Sequence, residues 1–182
     1  AMSYIIGKLK DKTNVKLGVN IQSTTSEEEI VVATICGLDF IRSETFVDIR
    51  INSDGIMNSM CVNLTRKKKE LNSNVKIFAD VNVKETLPFI DKTIEYSVSQ
   101  AIAAGADAII LTGLETGKSP TVEDAKKIKE LCVDIPLLIG SGVNSHNIKS
   151  FMEYSDGAII GSSIKKDGLV ENEVDYLEVK NL

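Results

Sequence analysis

Asp80, Asn82 and Lys84 stand two residues apart in an otherwise apolar run, KIFADVNVK (76–84). In an extended strand, side chains two apart share one face. A carboxylate, a carboxamide and an ammonium would then point the same way. Asp80 and Lys84 in one partly dry pocket would shift each other's pKa and position a hydroxyl or carbonyl for acid–base work. Lys84 could instead form a Schiff base, given a depressed pKa. Two plainer readings stay open. One is an ion pair of Asp80 with Arg42 or Lys84 that only organises the fold. The other is a solvated edge strand.

Two small-residue turns suggest a second kind of chemistry. Gly140, Ser141 and Gly142 follow the apolar run PLLI, and Gly161, Ser162 and Ser163 follow AII. Small residues let backbone N–H groups approach an anion closely, and a helix start at Asn144 or Ser145 would aim its positive end at the same place. These six residues form the expected phosphate site, and turns without a ligand are the alternative. Lys165 would add a cation, or stay solvated.

Polar residues recur where other apolar runs end. Asn20 shares a face with Gly18 and Gln22, Arg42 closes DFIR, and Thr112 closes AIILTG. The expected catalytic set is Asp80 and Lys84 with Arg42 and Asn20 in support. Asn82, Thr112, Gly117 and Lys165 are the further expected substrate contacts. From Gly113 to Lys118 the loop resembles the end of an NTPase phosphate loop, but its second glycine, Gly117, comes one residue too early, which argues against an NTPase. Gly117 and Lys118 read as a lid or a second contact. With His146 as the one histidine and no Cys-x-x-Cys pair, neither a metal nor another cofactor is expected.

The elements that must carry these residues alternate. Six apolar runs read as strands: 16–21, 39–42, 76–83, 108–113, 136–140 and 158–161. Amphipathic stretches fill the gaps. Ser26 with Glu29, and Thr121 with Asp124, have capping-box spacing. Asp91 is a candidate cap for the helix carrying Ile94, Val98 and Ala101. Strand–helix alternation predicts a parallel sheet with right-handed crossovers, an α/β fold of (β/α)-barrel, TIM type. In such barrels the last two strands often end in a phosphate site. A whole barrel takes about 250 residues, and the chain has 182. The expectation is a single domain, residues 1–182, holding six of eight strands and lacking the first two βα units. Such a barrel would leave edge strands in need of cover, so a homo-oligomer or pairing with the missing N-terminal segment is expected.

Composition narrows the function classes. Apolar residues make up 43%, enough for a core, and the net charge is −5. The one basic cluster, Arg66 to Lys69, is followed by Glu70 in a helical pattern and reads as a solvated helix face, so no nucleic-acid partner is expected. No apolar run reaches the about 18 residues of a membrane span, and no signal-peptide core opens the chain. The three cysteines, Cys36, Cys61 and Cys132, are odd in number and read as free thiols of a cytoplasmic protein.

Together these stretches resemble the BtpA/SgcQ family. The resemblance runs through LGVNIQ (17–22), DFIR (39–42), KIFADVNVK (76–84), AIILTGLETGKSP (108–120), PLLIGSGVNSHNI (136–148) and DGAIIGSSIKKDGLVENEVD (156–175). It implies a (β/α)-barrel that is either an enzyme, with nucleosidase activity predicted for the family, or a factor in photosystem I biogenesis. The family reads ADVHVKH where this chain has Asn82 and Glu85 in place of the two histidines, so no histidine chemistry carries over to those positions. The resemblance fits a phosphorylated small-molecule ligand, a sugar phosphate or nucleotide.

Overall fold

The apolar runs do become parallel strands, and the two faces of each strand have different fates. The computed structural model describes residues 1–21, 27–83, 85–113 and 119–182. In chain order its elements are α1 (Met2–Lys10), β1 (Gly18–Val19), α2 (Glu27–Ile35), β2 (Phe40–Ser43), β3 (Arg50–Asn52), β4 (Gly55–Met57), α3 (Cys61–Glu70), β5 (Lys76–Val81), β6 (Leu87–Pro88), α4 (Ile94–Ala103), β7 (Ala108–Leu111), α5 (Val122–Leu131), β8 (Leu137–Ile139), α6 (Ile148–Met152), β9 (Gly157–Ala158) and α7 (Tyr176–Asn181).

The main sheet has six strands in the order β1-β2-β5-β7-β8-β9, every neighbouring pair parallel. This is the expected sequence order, and the fold is an incomplete TIM-type barrel. One strand face packs on the helices: Ile77, Ala79 and Val81 of β5 join Ile109, Leu111, Leu137 and Ile139 in one core with Ile30, Leu64, Val98 and Ile128. The opposite face looks toward the barrel axis. There Phe40 and Phe78 stack with ring centroids 4.5 Å apart, and Gly18 leaves room for Phe40, whose ring a Cβ would strike. Strand β7 is buried along its whole length, as expected of a central parallel strand.

The N-terminal end of the barrel is held by a repeated device. Asp39, Asp107 and Asp156 each precede a strand and accept the backbone N–H of a residue at the start of the neighbouring strand, from Leu17 at 2.9 Å, Ile77 at 2.9 Å and Leu137 at 2.8 Å. Each also holds a lysine: Lys16 on Asp39, Lys76 and Lys68 on Asp107, Lys129 on Asp156. These bonds fix register at one end and leave the other end free for chemistry. All three carboxyls sit below the usual carboxylate range. In Asp39 and Asp156 a bonded lysine is the main cause, and in Asp107 hydrogen bonds outweigh burial.

Several local expectations change. Thr93, not Asp91, caps α4, accepting from the Tyr96 N–H at 3.2 Å. The stretch after β8 does not enter a helix at Asn144. Asn144 and Asn147 brace a turn there, and regular helix begins at Ile148. The Thr121–Asp124 capping box forms in full. Ser26, the other expected cap, lies outside the described residues. The basic run is more engaged than a solvated face: Lys67 pairs with Glu27 and Glu70, and Lys68 with Asp107.

The structure adds a second sheet that the strand–helix alternation does not announce. β3 and β4 form an antiparallel hairpin, and β6 pairs with β3 in the order β4-β3-β6. Its anchor is the buried Arg50, which donates to the Thr86 hydroxyl and carbonyl and faces Asp48. Asp48 in turn accepts from Ser97 at 3.0 Å and pairs with Lys92. Burial pulls the Arg50 guanidinium below its ordinary pKa, and Asp48 partly restores it.

Candidate functional site

At the C-terminal ends of the strands, three expected residues from neighbouring strands meet. Arg42 on β2 donates to Asp80 on β5 through Nε at 2.9 Å and Nη2 at 3.3 Å. Thr112, just past β7, donates its hydroxyl to Asp80 Oδ1 at 3.0 Å. The registers Arg42↔Phe78 and Asp80↔Ile110 place the three side chains on the face opposite the helix core.

Asp80 is buried, and burial pushes its carboxyl up to about 6, despite the opposing pull of Arg42 and the Thr112 hydrogen bond. Glu44 adds a smaller push in the same direction. A carboxyl in that range exchanges protons near neutral pH, which suits an acid–base group. Gly140 makes the arrangement possible, because a Cβ there would run into Thr112 Oγ1 and Ile110 Cγ2.

Asn20 lies at the edge of this group. Its Nδ2 donates to the Arg42 carbonyl at 2.9 Å and, at 3.4 Å, to Glu29. Asn82 follows β5 with a left-handed backbone, φ 59°. Lys84 and Gly117 lie outside the described residues, as do Gln22 and Lys118.

The two small-residue turns are joined. Ser163 Oγ donates to the Val143 carbonyl at 2.7 Å, tying the segment after β9 to the turn after β8. Gly142 has φ 70°, a conformation that favours glycine, and its carbonyl accepts from Asn147 Nδ2 at 2.9 Å. Ser141 is buried and accepts from the Gly113 N–H at 3.0 Å, connecting the turn to the loop after β7. Gly161 precedes a single 3-10 turn, Ser162–Ile164. Among the described residues, nothing lies within 4 Å of a Cβ placed on Gly161. Lys165 turns away, donating to the Val170 carbonyl in the C-terminal segment. His146 is exposed.

Glu29, whose spacing from Ser26 is that of a capping box, has an unusual environment. Glu29, in the first turn of α2, is 1% exposed, and burial pushes it up to about 7. Its Oε1 accepts the Ile21 N–H at 2.6 Å. The sequence offers one hint: Glu29 is flanked by Ile30 and Ala33, which face the core.

The description of the BtpA family matches residues 1–182. An uncharacterized protein of Methanocaldococcus jannaschii is 37% identical over 100% of this chain and 69% of its own length. The Photosystem I biogenesis protein BtpA of Synechocystis is 30% identical over 98% of this chain. The chain spans 63% of that relative's length. Among solved structures, thiamine phosphate pyrophosphorylase from Pyrococcus furiosus superposes with a TM-score of 0.65 at 17% identity, covering 100% of this chain and 73% of that one. Phosphoribosyl anthranilate isomerase from Thermococcus kodakaraensis gives 0.62 at 14%, covering 98% and 78%. At these identities the likeness is one of fold. No helix among the described residues is long and apolar enough to cross a membrane.

Proposed function

The chain belongs to the BtpA family, and on that premise we propose that it binds a small phosphorylated molecule, a sugar phosphate or a nucleotide, at the C-terminal ends of β8 and β9. The phosphate rests on the turns at Gly140–Gly142 and Gly161–Ser163, and Asp80 with Arg42 and Thr112 stands at the reacting part of the ligand. The observation that carries this reading is Gly161. The fold accounts for Gly140 by the close approach of Thr112, and for Gly142 by its positive φ. Among the described residues nothing lies within 4 Å of a Cβ placed on Gly161, and a missing Cβ facing open space, on a segment tied to the neighbouring turn by Ser163, suits an anion held by backbone N–H groups. The phosphate-bearing names of the two fold neighbours agree with it.

In this reading Asp80 moves a proton or orients a hydroxyl, and Arg42 keeps its ionised form available. Nucleosidase-type or other phosphosugar chemistry is the proposed reaction class. The chain acts as a single domain in the cytoplasm, and it pairs its open edges at β1 and β9 with a second copy or with further βα units. A noncatalytic assembly factor is the second reading. It is favoured by the name of the Synechocystis relative and by the fact that both Asp80 oxygens are already hydrogen-bonded within the protein.

Calorimetric titration with inorganic phosphate and ribose 5-phosphate tests the proposal. Both should bind the parent saturably, and Gly161→Val should weaken both at least about tenfold in a variant that still shows a cooperative melting transition. Equal binding by Gly161→Val would sink the phosphate site. Binding without turnover of any phosphorylated nucleoside or sugar would favour the assembly factor. Turnover abolished by Asp80→Asn with binding retained would favour the enzyme.

A further inference from the structure

The sheet of β3, β4 and β6 is built inside out. Its register sets which residues share a face: Arg50 lies opposite Met57 and Pro88, and Ile51 opposite Ile56 and Leu87. The Phe89 N–H donates to the Ile49 carbonyl at 2.9 Å, which carries the β3–β6 register one pair further. The inner face holds charge. Arg50 is buried against Thr86 and Asp48, and Asp48 accepts from Ser97 of α4 at 3.0 Å. The outer face carries Ile49, Ile51, Ile56, Leu87 and Phe89, which are between 38% and 72% exposed. An antiparallel sheet with one face in water normally turns its polar residues outward. A slip of one residue would exchange the two faces, and the contacts of Arg50 with Thr86 and Asp48 bar that slip. The apolar face is therefore held outward by the fold itself.

The patch has the size of an interface. These five side chains offer roughly 500 Å² to solvent, at the upper end of what a monomer leaves open. A standard interface buries about 800 Å² on each partner, and in homodimers about 65% of that is apolar, which again comes to about 500 Å². None of the five bears a charge. Two copies of a chain with net charge −5 can meet there without like charges facing each other. The patch also lacks the charge pattern that would select a different protein. Faces rich in β-branched residues stack on one another in two-sheet sandwiches, and here the second sheet is the same sheet of another copy.

We propose that this face is a twofold interface between two copies of the chain, with Ile51 on the central strand flanked by Ile56 and Leu87. The contact is distinct from the backbone edges of β1 and β9 and does not depend on the phosphate site. The hairpin β3–β4 belongs to the segment that leaves β2 after Arg42, and β6 to the segment that leaves β5 after Asp80. Dimerisation therefore braces the segments that follow these two residues.

Sedimentation equilibrium on the full chain measures the assembly. The parent should be a dimer at about 100 μM. The double variant Ile56→Glu, Leu87→Glu changes the two most exposed members of the patch, those that the fold of one copy needs least. It sets four carboxylates into the contact and should weaken dimerisation at least about a hundredfold. A measurement on the parent keeps the test valid if that variant fails to fold. In an equal mixture of isotope-labelled and unlabelled parent, the Ile51 and Leu87 methyl groups should show NOEs between copies. A parent that stays monomeric at about 100 μM would overturn the proposal and leave the face to another protein. A double variant that dimerises as tightly as the parent would also overturn it. So would between-copy NOEs confined to Val19 and Ala158, which would put the contact on the strand edges.

Discussion

Arg42 grips Asp80 with two hydrogen bonds, at 2.9 and 3.3 Å, yet the carboxyl still titrates near 6. Desolvation outweighs the guanidinium, which is the usual balance for a buried ion pair. This pair therefore costs stability when ionised.

Stability should fall as pH rises from about 5 to about 7.5. Asp80 and Glu29 have folded pKa values of about 6 and about 7, raised above their unfolded values. Their contribution is complete below about pH 4 and is lost as pH rises through the folded values, on the order of 1–3 kcal/mol each. Asp39, Asp107 and Asp156 are shifted down, so their contribution is lost only as pH falls below about 4. Melting temperatures across this range test the sign. The double variant Asp80→Asn, Glu29→Gln should give a flatter curve, and a parent curve that rises from pH 5 to 7.5 would contradict the burial argument.

Gly140→Ala should destabilise the protein by about 1–3 kcal/mol in urea denaturation, the cost of forcing a methyl into a packed site. The new Cβ would press on Thr112 Oγ1 and Ile110 Cγ2. Since the Thr112 bond favours the ionised form of Asp80, its displacement should raise the Asp80 midpoint further. Parent-like stability would mean that Thr112 and Ile110 yield without cost.

Ser163→Ala removes the 2.7 Å bond to the Val143 carbonyl. The expected loss is about 1 kcal/mol of stability, together with a several-fold loss of phosphate affinity as the two turns lose their tether. Unchanged phosphate affinity by calorimetry would show that the turns hold their positions without it.

Asp107→Ala acts at the opposite end of the barrel. It deprives the Ile77 N–H, Lys76 and Lys68 of their shared acceptor. Stability should drop by about 1–2 kcal/mol, with phosphate affinity untouched. An equal loss of phosphate affinity would show that the two ends are coupled.

Much of this architecture is local in origin and therefore legible. Apolar runs separated by amphipathic segments set six parallel strands in order. The two-residue period of a strand put Asp80 on the face opposite Ile77, Ala79 and Val81. Thr121 and Asp124 declare their capping box by spacing alone. The short helix α6 begins at Ile148, later than its sequence suggests, because Asn144 suits a helix cap and a turn equally well.

What the sequence by itself determined, then, is the order of the strands, the face on which each side chain stands, and the family to which the motifs point. Only the tertiary structure decided the sheet of β3, β4 and β6, whose short strands carry little periodicity and whose pairing joins Ile51 to Leu87 across a long stretch of chain. It alone decided that Arg50 is buried against Thr86, that Ser163 reaches Val143, and that Asp80 and Glu29 titrate near neutrality. The physical reason is common to all of these. Side-chain direction follows from local backbone geometry, whereas desolvation and long-range hydrogen bonding depend on which distant residues close over a group.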